Sequence, residues 1–404
     1  MAKVRVIAAM SGGVDSCVAA ALLLEQGYDV VGITMQLWNH KGDGEERFDS
    51  CCSLTDVHDA RASAHKLGIP HYVVNYEREF KSGVVDYFAS EYGQGRTPNP
   101  CVLCNSKLKF DHLVDRARAL GAEWVATGHY ARVIHHGDGR PSELYTGVDG
   151  NKDQSYFLFD MRPDNLRRAM FPLGGMTKSQ VREKAKALGL HTATKHESQE
   201  ICFVTGGRYS DFLEKHYPDV TKLTGEIVDR QGRVLGRHDG IHLFTVGQRK
   251  GLGAILGGEP RYVFAIQPES RRVVVDSMEN LSVQGFTVSS INWLVDPSTV
   301  NEERVLSVMV RYRAKPLPCR IRRLENGTYQ ILLADKARWV TPGQAAVFFD
   351  GEQVVGGGFI LQAIHEQTAA EESAAKSFGT GTGRVERPES QSLRPTLGQP
   401  SADF

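Results

Sequence analysis

The chain has no net charge: 48 lysines and arginines face 48 aspartates and glutamates across 404 residues. Without a long-range field to draw in a polyanion, any nucleic-acid surface has to be a local basic cleft among acidic neighbours. Long apolar runs are missing too. The opening MAKVRVIAAMSGG is broken by Arg5 and ends too soon for a signal peptide or a membrane span, and no later run reaches about 18 residues. A cytoplasmic protein, with monomer as the preferred state, is the expectation. Cysteine is scarce and odd in number, seven in all, which argues for reduced thiols over a disulfide framework. Two motifs are absent. No GKS or GKT ends the first glycine loop, excluding a Walker loop, and the spacing also misses the dinucleotide fingerprint.

What is there alternates. Residues 3–9 read as a buried strand and Ser11 to Ser16 as a tight loop, followed by an Ala/Leu-rich helix ending near Gly27. YDVVGITMQL and HYVVNY read as further strands, with DVHDARASAHKLG a helix between them. A Pro-bounded cysteine loop precedes a helix from about Ser106 to Leu120, then the strand AEWVATG, and the alternation is expected to continue to about 205. Beyond Tyr209 the pattern becomes short alternating runs with frequent glycine, such as YVFAIQ, RRVVVD, YQILLAD and QAAVFFDGEQVVGGGFI. The expected fold is therefore a doubly wound α/β nucleotide-binding domain over 1–208, a small β-rich domain over 209–279 and a C-terminal β-barrel over 280–363. Residues 364–404 carry no apolar period and read as a disordered tail.

Two stretches carry chemistry. AMSGGVDS places glycines between a strand and a helix N-terminus, where backbone N–H groups and hydroxyls can hold anionic oxygen. Asp15 beside such a loop is repulsive to phosphate unless it binds Mg²⁺ or orders the loop. NPCVLCN sets Cys101 and Cys104 three apart, which suits one side of a metal site, a redox pair or two packed thiols. A closed zinc site needs four ligands, no second CxxC exists, and the adjacent Cys51 and Cys52 are poorly placed to complete one. Cys202, in HESQEICFVTGG, lies on a border between polar and apolar sequence.

The SGGVDS run resembles the pyrophosphatase loop of ATP-using enzymes that adenylate a carbonyl oxygen. Taken in order, SGGVDS, GRTPNPCVLCN, ATGHYAR, GNKDQSYFL, SQEICF, the GxHxFTVGQRKGLG segment and VRYR resemble the tRNA-specific 2-thiouridylase family over about residues 5–360. The resemblance implies ATP-dependent replacement of the 2-oxygen of the wobble uridine, position 34 of tRNA, by sulfur from a persulfide. It implies ATP contacts at Ala9, Met10, Ser11, Gly12, Gly13, Val14, Asp15, Ser16, Met35 and Gly128, with Mg²⁺. Cys104 takes the place of the first catalytic cysteine and Cys202 that of the persulfide carrier, with a disulfide between them after transfer. Cys101 stands where many members carry aspartate. The tRNA contacts it implies are Asn99, Pro100, Cys101, His129, Lys152, Asp153, Gln154, Arg311, Tyr312 and Gln344. Arg249 and Lys250 are further phosphate candidates by composition. A cysteine desulfurase or sulfur relay protein is the implied persulfide donor. Three readings compete: an iron-sulfur cluster on Cys101, Cys104 and Cys202, another pyrophosphate-releasing synthetase, and a metal-bearing RNA-binding protein without turnover.

Overall fold

The structure, a computed structural model, describes residues 3–38, 54–195, 201–204, 207–252 and 260–365. The expected tail beyond 365, Cys51, Cys52, Glu197 and Glu200 lie outside the described residues.

Strand β1 (Arg5–Ala9) sits mid-sheet because RVIAA offers apolar side chains to both faces. Val6 and Ala8 join one core and Ile7 the other, each almost fully enclosed. The strand pairs in parallel with β2 (Asp29–Gln36) and β4 (Trp124–Ala126). Adding β3 (His71–Asn75) and Ala169–Met170 completes a five-stranded parallel sheet in the order β3, β2, β1, β4, 169–170. Helices α1 (Val14–Glu25) and Lys178–Ala187 cover one face, and Asp111–Ala119 covers the other. This is the doubly wound layer.

Two local differences from the sequence reading matter for the site. The cysteine segment is helical from Pro100 onward: Asn99 caps it by accepting the Cys101 N–H at 3.2 Å, and Pro100 occupies the first helical position, where a missing N–H costs nothing. Cys104 then begins a π-helical stretch to Phe110 before regular helix resumes at Asp111. Secondly, the alternation is interrupted after β4. Ala131–Ile134 and Glu143–Thr146 form an antiparallel hairpin whose partner is far away in sequence.

That partner belongs to the third sheet. Strands Val283–Val288, Leu306–Met309, Leu317–Arg323, Tyr329–Ala337, Ala345–Asp350 and Gln353–Ile364 close a six-stranded barrel, because Val283–Val288 pairs with both Tyr329–Ala337 and Gln353–Ile364. The start of that last strand also pairs with the hairpin, Gln353 with Tyr145 and Val354 with Leu144. Between the two larger parts, Gly225–Val228, Val234–His238, Tyr262–Gln267 and Arg272–Asp276 make a four-stranded sheet. No helix among the described residues is long and apolar enough to cross a membrane.

Candidate active site

The glycine loop lies where β1 ends at the rim of the parallel sheet. Gly12 has φ of +76°, and a Cβ there would come within 2.1 Å of the Asp56 carbonyl oxygen, so only glycine lets the loop seat against α2 (Leu54–Leu67). Ser16 Oγ accepts the Ser11 N–H at 3.1 Å and donates to the Gly13 carbonyl at 3.0 Å, which curls the loop over the start of α1. Gly13 is the N-cap and no side chain caps it, so the first N–H groups of a twelve-residue helix face outward from the loop. Gly128 packs against the same turn, its missing Cβ within 2.8 Å of Ser16 N.

Of the expected nucleotide contacts, Ser11 is exposed, Ala9, Gly13 and Asp15 are half-buried, and Met10, Gly12, Val14 and Ser16 are buried. Met35, half-buried on β2, touches both the sheet core and the cluster that contains Cys104.

Charge around the loop is arranged by residues that sequence reasoning did not single out. Lys178 Nζ reaches both Asp15 carboxylate oxygens at 2.8 Å, and Tyr130 OH donates to Asp15 Oδ1 at 2.7 Å. Asp15 thus orders the loop through a lysine, the second of the two roles open to it. Lys195 Nζ donates to the Gly12 carbonyl at 3.2 Å and to Asp56 and Asp59. Desolvation works against the Lys195 ammonium, yet the hydrogen bonds it donates to the Asp56 and Asp59 carboxylates, with their charge, raise its pKa above the ordinary value.

The sequence signals for these residues were local fragments: Tyr130 in TGHY, and Lys178 directly after Thr177, whose TxxQ spacing makes the capping box seen here.

The thiols converge on one apolar cluster. Cys104 is 8% exposed and shares that cluster with Leu37, Phe80, Phe88, Phe203 and Phe212, and Cys202 is half-buried against it. Phe203 is what anchors the Cys202 segment, its ring 5.7 Å from Phe80, 5.3 Å from Phe88 and 5.2 Å from Phe212. Cys101 is exposed, one helical turn from Cys104. Among the described residues no three His, Cys, Asp or Glu side chains gather as a metal-holding group, so Cys101, Cys104 and Cys202 do not present a cluster cage.

The expected RNA contacts fall into two sets. His129 is half-buried beside Phe110 and Phe171, with its Nδ1 2.7 Å from Thr127 Oγ1; desolvation, then the Lys109 charge, push its pKa down to about 3, so the ring is neutral. Asp153 is turned inward, accepting from the Gly147 N–H at 2.8 Å and from Ser155 Oγ at 2.9 Å, and burial pushes its carboxyl up. Gln154 Oε1 accepts the Tyr130 N–H at 3.0 Å. These two side chains therefore shape the turn carrying Lys152, whose N–H donates to the Asp149 carbonyl at 2.9 Å. Tyr312 lays its ring 4.4 Å from that of Phe157, and the Arg313 guanidinium lies over the Tyr312 ring at 5.2 Å. Gln344 donates to the Thr97 carbonyl at 2.8 Å. Asn99 and Pro100 form the helix start already described, while Arg311, Arg249 and Lys250 are exposed.

Three family models match the chain in order: a tRNA methyl transferase HUP domain over 4–206, a tRNA methyl transferase PRC-barrel domain over 210–277 and an aminomethyltransferase beta-barrel domain over 283–360. A tRNA-specific 2-thiouridylase from Geotalea uraniireducens is 50% identical over 369 residues, 90% of this chain and 97% of its own length. The chain belongs to the tRNA-specific 2-thiouridylase family of enzymes. The thiouridylase of Geobacter metallireducens is 48% identical over 90% of this chain and 99% of its own, and that of Magnetococcus marinus 49% over 88% and 99%. Because such thiouridylases align through all three matched segments, sulfur transfer takes precedence over the methyl transfer in the domain descriptions. Among solved structures, a 4-thiouridine synthetase bound to RNA and ATP overlaps at a TM-score of 0.31 and 19% identity, covering 54% of this chain and 51% of that one.

Proposed function

We propose that the chain replaces O2 of the wobble uridine of tRNA by sulfur, consuming ATP and releasing AMP and pyrophosphate. The observation that carries this reading is the gathering of Cys104, Cys202 and Met35 around one apolar cluster, Met35 lying on the strand that pairs with β1, whose end leads into the uncapped helix N-terminus.

A uracil carbonyl oxygen is a poor leaving group, so it must first be converted. O2 attacks the α-phosphorus of ATP and pyrophosphate departs, leaving AMP esterified to O2. Departing charge falls on the N–H groups of Gly13 to Asp15, with Lys195 at the edge of the loop and Asp15 already neutralised by Lys178. Mg²⁺ would be held by the phosphates and by Asp15, the carboxylate of the loop, which Lys178 and Tyr130 hold in place, and it would offset phosphate charge. The terminal sulfur of a Cys202 persulfide then attacks C2 and AMP leaves. The Cys104 thiolate attacks the Cys202 sulfur of the resulting C2–S–S–Cys202 linkage, freeing the 2-thiouridine sulfur and forming a Cys104–Cys202 disulfide that an external thiol reduces. The iron-sulfur alternative is not needed for any step.

For the RNA, the barrel wall offers a cavity of about 530 Å³ whose lining includes Arg311, Lys315, Lys336 and Arg338 and no carboxylate. It lies on the barrel, away from the glycine loop, and suits a phosphate backbone whose reacting base is extruded elsewhere. This local basic surface reconciles RNA binding with zero net charge. Cytoplasmic residence and a persulfide relay partner complete the reading.

The test is incubation with unmodified tRNA, ATP, Mg²⁺ and a persulfide donor, followed by mass measurement of nucleosides. Wild-type chain is expected to form 2-thiouridine. Cys202→Ser is expected to retain tRNA-dependent AMP formation with no thiolation. Thiolation by that variant at the wild-type rate would overturn the assignment.

A further inference from the structure

Three residues before Pro100, the backbone of Thr97 is hydrogen-bonded on both sides to one turn of the C-terminal barrel. Its N–H donates to the Pro342 carbonyl at 2.9 Å, and its own carbonyl accepts from Gln344 Nε2 at 2.8 Å. Gly343 makes the approach possible: it has φ of +89°, and a Cβ there would stand 2.9 Å from Thr97 N and 3.0 Å from Arg96 Cβ. The turn is itself fixed to the last barrel strand, with Gly343 N–H donating to the Ile360 carbonyl and Ile360 N–H to the Gln344 carbonyl, both at 2.8 Å. Trp339, upstream, holds a φ of +65°, a conformation a bulky residue adopts only under constraint. Its ring presses on Gly247 of the middle segment, where a Cβ would lie 2.3 Å from it. Thr97 Oγ1 also donates to Thr245 Oγ1 of that segment at 3.2 Å.

Two hydrogen bonds to opposite sides of one residue fix both its position and the tilt of its peptide planes. Thr97 leads through buried Pro98 into Asn99, which caps the helical turn carrying Cys101 and Cys104. Prolines at 98 and 100 stiffen this lead, so an error at Thr97 is transmitted to the thiols. A shift of about 1 Å in a reacting group costs up to about a hundredfold in rate.

We propose that Thr97 and Gln344 form a brace by which the C-terminal barrel positions the Cys101–Cys104 turn, so that Gln344 is a positioning residue for sulfur transfer through its bond to Thr97. The proposal rests on the reading of Cys104 as the attacking thiol, and its first test needs no turnover.

Full-length chain without tRNA is treated with iodoacetamide, and alkylation is followed cysteine by cysteine through peptide mass spectrometry. In Gln344→Ala, Cys104 is expected to react about five-fold faster, the local opening expected for loss of one hydrogen bond. Cys319 in the barrel core and Cys17 in α1 report global loosening and are expected to keep their rates. Thr97→Ala retains both backbone bonds and loses only the hydroxyl bond to Thr245, so its Cys104 rate is expected to rise less than that of Gln344→Ala. An unchanged Cys104 rate in Gln344→Ala, or equal acceleration at Cys319, overturns the brace. In the thiolation assay the same variant is expected to lose kcat with KM for tRNA unchanged; a raised KM with unchanged kcat would assign Gln344 to RNA contact alone and sink the proposal.

Discussion

Asp15 places a negative charge in the loop we propose to receive phosphate, and its neighbours change what that charge does. Lys178, with only 11% of its side chain exposed, is salt-bridged to it at 2.8 Å. Removing the lysine would leave the Asp15 carboxylate unbalanced in that loop, with the Tyr130 OH as its remaining hydrogen-bond donor among the described residues. Breaking one side of such a partly buried pair costs about 1–3 kcal/mol. We therefore expect Lys178→Met to weaken ATP binding by about ten- to a hundredfold, and Asp15→Asn in the same chain to restore most of it. Titration calorimetry with ATP checks both; a double variant no better than the single one would show that the pairing is not what Lys178 contributes. The order of strand, glycine loop and helix was legible because it is local to one short stretch of sequence. Lys178 and Lys195 were not, since nothing in their own neighbourhood in sequence says which carboxylate each one meets.

Helix Lys178–Ala187 is the element that delivers that lysine. Its first turn is locked by a capping box in which Thr177 Oγ1 accepts the Gln180 N–H while Gln180 Oε1 accepts the Thr177 N–H at 2.8 Å. Thr177→Ala is expected to cost about 1 kcal/mol, a typical N-cap loss. Because Lys178 is the first helical residue, part of that loss should reach ATP affinity; denaturant melts alongside ATP titration measure the two effects together. The amphipathic pattern of this helix and the apolar runs of the parallel strands were readable, as both are periodic. The segment at Pro100 was read as a loop because two prolines look like breakers, whereas one of them occupies the single helical position that suits it. The π-helical stretch beginning at Cys104 has no sequence signature of comparable strength; it arises where Ser106 is drawn to the Asp160 carboxylate at 2.6 Å and Asn105 to the Phe157 carbonyl at 3.4 Å.

Across the whole molecule, one face of the parallel sheet and the outer wall of the barrel share one core, while Ala346, Phe348 and Val355 on the alternate positions fill the barrel itself. Ile7, Phe110 and Tyr156 belong to the same cluster as Ala345, Val347, Phe349 and Val354. Tyr156, fully buried, also donates to the Ala345 carbonyl at 2.9 Å. Two parts that share a core lose it together, so calorimetry of the full-length chain should give one endotherm for these two parts rather than two. Tyr156→Ala, at an expected cost of about 3–5 kcal/mol, should lower that endotherm as a unit. A barrel melting separately from the α/β part would contradict this. The existence of three kinds of sequence pattern was legible from the change of period after Tyr209. Their fusion was not, because it depends on Asn292 reaching the Phe159 and Met161 carbonyls and on Phe159 filling the space that Gly357 leaves.

The hairpin Ala131–Thr146 has a consequence for how the protein is born. Its outer strand is completed by Gln353 and Val354, so a ribosome extending the chain at about 5–20 residues per second leaves that edge exposed for roughly 10–40 s before its partner emerges. An unpaired strand edge is a template for the wrong neighbour. The nascent α/β half thus waits, partly unfinished, for the strand Gln353–Ile364 to arrive and close it.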